Sequence, residues 1–320
     1  MGERRQAFRQ GVMMTAVIID GRKISEEIKN KIRNEVELFK KDGIEPCLAT
    51  ILVGEDPASK IYLNIKHKNC EEVEIKSKNY QLPEDTKEDG LIKFIEDLNE
   101  DKSIHGILLQ LPVPKRIDEH KAISAISPEK DADGLHPVNM GKLLRGESCI
   151  IPCTPFGVQQ LLMKSGYNPS GKHVVICGRS NLVGKPLAAL LMQKKEGANA
   201  TVTICHTGTK NISYFTKQAD ILVVAMGSPK AITADMVKEG AVVIDVGINK
   251  VPDATAKSGY RLVGDTDFET IKEKVRAITP VPGGVGPITV AMLLYNTLLA
   301  TSVQTKHELS QDIKNLFKHE

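Results

Sequence analysis

A chain of 320 residues is too long for one small domain and suits two of ordinary size. Apolar residues make up 41% and charged residues 26%, so large cores can be buried beneath a polar surface, and a net charge of +3 gives no electrostatic case for nucleic acid or a membrane as partner. No apolar run is expected to reach the roughly 20 residues of a membrane helix, and no signal-peptide core is expected.

The first dozen residues carry Arg4, Arg5 and Arg9 ahead of Met13-Met14, without core periodicity. We read them as an extension before an alternative start; a short targeting segment is the other reading. A strand is expected at Val17–Ile19, then an amphipathic helix from about Ile24 to Lys41. Cys47–Val53 reads as a buried strand ending at Gly54, and Asp56-Pro57 as a helix start, with an acid cap and proline in the first turn. That helix carries Tyr62 and Lys66. A strand at Ile75–Tyr80, a helix at Thr86–Asn99 and a buried strand at His105–Gln110 follow. Leu111-Pro-Val-Pro114 must then leave the sheet.

From Asp131 to Pro155 only turns are expected, and the domain crossing is placed there. Phe156–Ser165 is expected as a helix. Strands follow at His173–Cys177, Thr201–Cys205, Asp220–Ala225, Ala241–Val246 and Val275–Ile278. Ile248–Leu262 reads as a polar excursion, and Pro280–Pro287 as irregular. Ile288–Ser302 is an apolar helix, and the residues after Thr305 read as a frayed tail.

This alternation is that of an α/β protein with mainly parallel sheets: an N-terminal α/β catalytic domain plus a Rossmann-like domain, with a cleft between them. The expected boundaries are 14–153 for the first domain, completed by helix 288–303, and 154–287 for the second, with 1–13 and 304–320 as terminal extensions. The six cysteines form no CxxC pair. No metal site or disulfide framework is therefore expected, and the default compartment is a reducing cytoplasm.

The most informative stretch runs from Lys172 to Pro186: a strand, a tight glycine turn and a helix start. Phosphate oxygens bind the backbone N–H groups of such a turn. Gly178-x-Ser180-x-x-Val183-Gly184 is degenerate, and Arg179 occupies the turn itself. NAD sites usually place an acid at the tip of the second strand, whereas NADP needs a cation for its 2′-phosphate. Here the tip is His206-Thr207-Gly208-Thr209, with no acid. The missing acid and the arginine both point to NADP. Arg179 as a merely solvated turn residue is the alternative. Gly227 follows another strand and is expected to face the same crevice. The expected cofactor set is Gly178, Arg179, Ser180, Val183, Gly184, His206, Thr207, Gly227 and Ile248. Pro282, Gly283 and Gly284 precede a helix and can bring backbone close to a ligand, here the substrate; a plain interdomain turn is the alternative.

Tyr62 and Lys66 share one helix face. They can form a proton-donor pair, or a flat ring beside an amine acid/base. They can equally be a buried ring with a lysine reaching past it to water. Gln110 ends an apolar strand, where α/β sites form. Asp133 lies in a loop shaped by glycine and proline, where a plain Asx turn is the other reading.

The motifs identify a family by resemblance. They are Val53-Gly-Glu-Asp-Pro-Ala-Ser59 with Tyr62-x-x-x-Lys66-x-Lys68, Gly106-Ile-Leu-Leu-Gln-Leu-Pro-Val-Pro114 and Pro128-Glu-Lys-Asp-Ala-Asp-Gly-Leu135. Pro152-Cys-Thr-Pro155, Gly178-Arg-Ser180 with Val183-Gly-Lys-Pro186, and Pro280-Val-Pro-Gly-Gly-Val-Gly-Pro287 complete the set. In this order, over residues 14 to 303, the chain resembles the bifunctional methylenetetrahydrofolate dehydrogenase/methenyltetrahydrofolate cyclohydrolase family.

The resemblance implies NADP-dependent oxidation of methylenetetrahydrofolate to the methenyl form, then hydrolysis to 10-formyltetrahydrofolate. It implies Lys66 as the acid/base, Tyr62 against the folate, Gln110 bonded to Lys66, Asp133 on the pterin edge and Arg179 on the 2′-phosphate. Thr207 stands where the family usually has serine, and Ile288 where it usually has methionine. A homodimer through the nucleotide domain, and a place in one-carbon metabolism and purine biosynthesis, are implied in the same way. A catalytically silent folate- or nucleotide-binding paralogue is the alternative from another class, and an NADP-dependent small-acid dehydrogenase is a third. The intact Tyr62, Lys66, Gln110 and Asp133 weigh against the first, and a Tyr-Lys pair outside the Rossmann domain against the second.

Overall fold

The computed structural model describes residues 15–256 and 259–317; the extension read at the N-terminus lies outside the described residues. In chain order the elements are β1 (Val17–Ile18), α1 (Gly21–Lys41), β2 (Cys47–Val53), α2 (Pro57–Glu72), β3 (Lys76–Leu82), α3 (Glu88–Glu100) and β4 (Gly106–Leu109). Then come α4 (Glu119–Ala125), α5 (Pro137–Arg145), α6 (Cys153–Lys164), β5 (His173–Cys177), α7 (Gly184–Leu191), β6 (Thr201–Cys205), α8 (Ile212–Thr216), β7 (Ile221–Val224) and β8 (Val242–Asp245). The chain continues through β9 (Asn249–Pro252), β10 (Tyr260–Val263), α9 (Phe268–Ile271), β11 (Ala277–Ile278), α10 (Val285–Thr305) and α11 (Gln311–Leu316).

Two compact units result. One holds the described residues of Met1–Ile24 with Gly157–Ile288, the other Ser25–Phe156 with Thr289–Glu320. The first is built on a six-stranded parallel sheet in the order β1-β11-β8-β7-β5-β6. Strands covered on both faces read as unbroken apolar runs, and β7 and β8 are buried at every residue. Val175, Leu222, Val224, Val243 and Ile278 centre its core. The sequence-adjacent pair β5 and β6 lie side by side, while β7 joins the opposite edge of β5. That reversal is a topological switch point, where α/β folds bind ligands at the strand C-termini.

The second unit carries a three-stranded parallel sheet, β3-β2-β4, with β2 central. Ile51, Val53, Ile107 and Leu109 pack against Leu91 and Ile95 of α3. Helix α2 starts as its sequence dictates: the Asp56 carboxylate accepts from Ser59 N at 2.7 Å, and Pro57 needs no hydrogen-bond partner there.

Several expectations are corrected. Strand β1 pairs with β11, Val17 beside Ala277, so it belongs to the six-stranded sheet and not to the unit of β2 to β4. The turns expected over 131–155 include helix α5. His136-Pro137 is a helix start, its ring Nδ1 accepting from Val138 N at 3.1 Å, and Gly146 closes the helix at φ 74°. The polar excursion is an antiparallel hairpin, β9 with β10. Pro287 lies in the first turn of α10, where its missing N–H leaves no gap.

Helix α10 is long and apolar enough to cross a membrane, contrary to the expectation of no such run; 61% of that stretch is buried inside the protein. The tail expected to fray after Thr305 forms α11. Ser310 caps it, Ile313 is buried, and Phe317 packs on Tyr295 with ring centroids 4.1 Å apart.

Candidate active site

In the three-stranded unit, α2 carries Tyr62 and Lys66 one turn apart. Lys66 Nζ donates to Gln110 Oε1 at 3.0 Å. Gln110 follows β4, and its backbone N–H donates to Ile51 O at 2.8 Å, continuing the ladder by one residue. Its side-chain Nε2 donates to Leu111 O at 2.7 Å. The amide is thereby oriented with its oxygen toward the lysine, and the Leu111–Pro112 peptide that follows is cis.

Asp133 lies in the loop between α4 and α5, on a scaffold built by its neighbour. Asp131 is buried, and its carboxylate accepts from Gly134 N at 3.0 Å, His136 N at 2.8 Å and Asn139 Nδ2 at 2.9 Å. Burial still raises the Asp131 carboxyl above its ordinary range. Gly134 adopts φ 74°, and a Cβ there would meet Ile151 C and Pro152 N, each at 2.6 Å, so only glycine lets these segments touch. Asp133 O receives Cys153 N at 3.3 Å. Burial pushes the Cys153 thiol well up, and the Asp133 carboxylate pushes it further, while Lys66 pulls it down. Lys66, Gln110, Asp133 and Cys153 therefore share one neighbourhood. Asn296 of α10 completes it, donating to Ala132 O at 3.0 Å and Ile151 O at 2.9 Å.

Sequence reasoning missed Asp131, Asn139, Cys153 and Asn296. Asp131 and Cys153 lie inside recognised motifs, which was the available signal. Nothing local marks Asn296, which reaches the loop only through tertiary packing.

In the six-stranded unit, the turn after β5 is compact. Gly178 has φ 137°, and a Cβ on it would overlap Ala225 O just beyond β7. A Cβ on Gly184 would overlap Gly178 O, so the start of α7 is seated on the turn. Ser180 Oγ accepts from Val183 N at 3.1 Å. Arg179 is exposed and forms no ion pair among the described residues. At the tip of β6, His206 Nδ1 accepts from Gly208 N at 3.0 Å, and Thr207 is exposed. Gly227, at φ 66°, has open space where a side chain would stand. Ile248 is exposed beyond β8. All nine residues of the expected cofactor set thus lie at the C-terminal edge of β5, β6, β7 and β8.

Pro282, Gly283 and Gly284 also fall in the six-stranded unit, whereas Lys66, Gln110 and Asp133 fall in the other. Gly283, at φ 113°, lies under the Arg22 guanidinium, and its carbonyl accepts from Gly21 N at 2.9 Å.

Residues 19–133 match the catalytic-domain model of tetrahydrofolate dehydrogenase/cyclohydrolase, and residues 152–305 match its NAD(P)-binding-domain model. The chain is 54% identical over 285 residues to bifunctional protein FolD of Chlorobium chlorochromatii, covering 88% of this chain and 97% of that protein. Among solved structures it is similar to the bifunctional FolD methylenetetrahydrofolate dehydrogenase/cyclohydrolase of Campylobacter jejuni, at 46% identity, a TM-score of 0.85 and coverage of 90% and 99% of the two chains. The Trypanosoma brucei enzyme, solved with NADP cofactor and inhibitor, gives 40% identity, a TM-score of 0.87 and coverage of 92% and 100%. With both family domains matched in order and the glycine turn and the lysine–glutamine pair in place, this chain belongs to the tetrahydrofolate dehydrogenase/cyclohydrolase family.

Proposed function

We propose that the chain oxidises methylenetetrahydrofolate to methenyltetrahydrofolate with NADP, then hydrolyses the product to 10-formyltetrahydrofolate, with Lys66 as the acid/base of the second step. The observation that carries the role of Lys66 is its bond to Gln110 at 3.0 Å. An amine fixed beside the reacting carbon can take a proton from the attacking water. The water oxygen bonds to the methenyl carbon, the bond from that carbon to N5 breaks, and N5 takes a proton. Gln110 orients the amine, and Tyr62 offers a flat ring to the folate. Asp133 accepts from the paired N–H donors of the pterin edge. Pro282, Gly283 and Gly284 line the substrate.

The residues of the six-stranded unit fit a dinucleotide. Gly227 leaves space at the strand edge, the Gly178 turn seats the start of α7 at the end of β5, and Arg179 supplies a cation where the tip of β6 has no acid. Arg179 and Thr207 hold the 2′-phosphate; Ser180, Val183, Gly184, His206 and Ile248 surround the rest. Bound NADP accepts the hydride. In that step the substrate nitrogen supplies the electrons, so the protein's task is orientation.

Folate chemistry is assigned to the unit of β2 to β4, which α10 completes, and nucleotide binding to the six-stranded unit that includes β1. The chain acts as a homodimer through the nucleotide domain, supported by β6 as a sheet edge with Ile204 exposed. Its place is the cytoplasm, supported by six free cysteines, and its product feeds formyl transfer in purine biosynthesis. Neither nucleic acid nor membrane is a partner, in keeping with a net charge of +3. Incubation with methylenetetrahydrofolate and NADP, following methenyl and formyl products, tests the reading. Absence of both products overturns it, and methenyl accumulation without formyl product removes the hydrolytic step.

A further inference from the structure

We propose that the buried Asp265 carboxylate is a positioning residue for the dinucleotide, holding the two loops beyond β7 and β8 in their binding shape. The inference rests on reading the six-stranded unit as the NADP site. Asp265 follows β10 and is fully buried. Its Oδ2 accepts from Met226 N at 2.6 Å and Gly227 N at 2.9 Å. Its Oδ1 accepts from Ser228 N at 2.9 Å and Asn249 Nδ2 at 2.8 Å. Three consecutive backbone N–H groups converging on one centre form a concave anion site. Here the protein fills that site with its own carboxylate. The inner side of the loop is thereby committed. Its outer side is Gly227, which is exposed, and a Cβ placed there would meet no atom within 4 Å.

The same carboxylate governs the neighbouring loop. A Cβ on Gly247 would overlap the Asp265 carboxylate, so residue 247 must be glycine for the loop to close over it. Ile248 is thereby presented at the edge. Asp245, the last residue of β8, mirrors this arrangement. Its carboxylate accepts from Gly247 N at 3.0 Å, Asp265 N at 3.0 Å and Thr266 N at 2.8 Å. A Cβ on Gly264 would in turn overlap the Asp245 carboxylate. Each acid thus covers the glycine beside the other. The loops that carry Gly227 and Ile248 have one shared anchor, and that anchor lies about 40 residues along the chain from the first of them.

Asp265→Asn keeps the shape and removes one acceptor oxygen, turning an NH₂ toward backbone donors. NADP binding to the purified full chain is measured by titration calorimetry, beside hydrolysis of methenyltetrahydrofolate without NADP. We expect NADP affinity to fall about tenfold or more and hydrolysis to fall by much less. Amide exchange at residues 226–228 is expected to accelerate. Affinity within about twofold of wild type overturns the proposal. So does an equal loss of hydrolysis, which marks a role in folding alone. If that variant does not fold, Asn249→Ala decides: it removes one of the four donors, and roughly threefold weaker NADP binding is expected, unchanged affinity overturning the proposal. A wild-type chain that does not bind NADP overturns the underlying reading, which separates the two failures.

Discussion

Lys66 on α2 and Gln110 beyond β4 are 44 residues apart in the chain and 3.0 Å apart in space. The contact follows from parallel pairing. Strand β2 feeds α2, β4 lies beside β2, and both strands deliver their C-terminal ends to the same edge of the sheet. Substituting Lys66 by Met keeps the length and removes the proton acceptor. Methenyl hydrolysis is expected to fall by about 10²–10⁴-fold with the fold intact. Wild-type hydrolysis rates in that variant would remove the lysine from the mechanism.

Arg179→Ala tests the cofactor assignment. A charge-assisted hydrogen bond contributes about 1.5–3 kcal/mol, so NADP affinity should drop roughly 10- to 150-fold while NAD affinity changes little. Competitive titration of both nucleotides reads the difference. Equal losses would mean that the guanidinium does not contact the 2′-phosphate.

Asp133→Ala should weaken folate binding and leave NADP binding intact, since the two residue sets lie in different units. The expected loss is about 1.5–3 kcal/mol, the scale of a hydrogen bond to a charged group. Separate titrations with each ligand check it, and undiminished folate affinity excludes Asp133 from the site.

His105 makes stability depend on pH. It is buried, its Nδ1 accepts from Cys47 N at 3.2 Å, and burial followed by repulsion from Lys130 lowers its pKa from 6.5. Below pH 6.5 the unfolded chain takes up a proton that the folded chain refuses, so stability falls with pH until the folded pKa is passed. Above pH 6.5 the contribution is constant. Urea unfolding on either side of that value should show the decline. His105→Asn keeps an acceptor for Cys47 N and does not titrate, so it should flatten the curve in that window. An unchanged slope would assign the decline to other groups.

Ile313→Ala tests whether the C-terminal helix is part of the fold. Ile313 is 1% exposed, and emptying such a site costs about 2–5 kcal/mol. Chemical denaturation should show the loss, whereas a change under about 0.5 kcal/mol would return α11 to the status of a surface appendage.

The parallel α/β plan and most strands were legible in the sequence because buried parallel strands leave continuous apolar runs, as in β2, β5, β7 and β8. The glycine turn at 178–184 and the helix start at Asp56-Pro57 were legible because their chemistry is local. The residues of the lysine site were legible as motifs, though Tyr62 and Lys66 by spacing alone admitted a bland surface reading. Helix α5 was missed because His136-Pro137 signals both a turn and a helix start, and only the ring bond to Val138 N distinguishes them. The tail was misread because α11 buries few residues, and its partners Glu35 and Tyr295 are remote in sequence.

The order of residues along the chain settles an inventory: which strands are buried, where backbone must turn through glycine, and which acids, amines and amides are available for chemistry. Their associations were settled by tertiary structure alone. It put β1 into the six-stranded sheet, brought Cys153 and Asn296 to the Asp133 loop, and turned Asp265 from one acid in a polar stretch into the anchor of two loops. The reason is the range of the forces involved. Caps, turns and apolar periodicity act over a few residues and are written along the chain. Strand order and the pairing of buried carboxylates with distant N–H groups depend on which segments must share a dry interior, where an unpaired polar group costs about 1–3 kcal/mol.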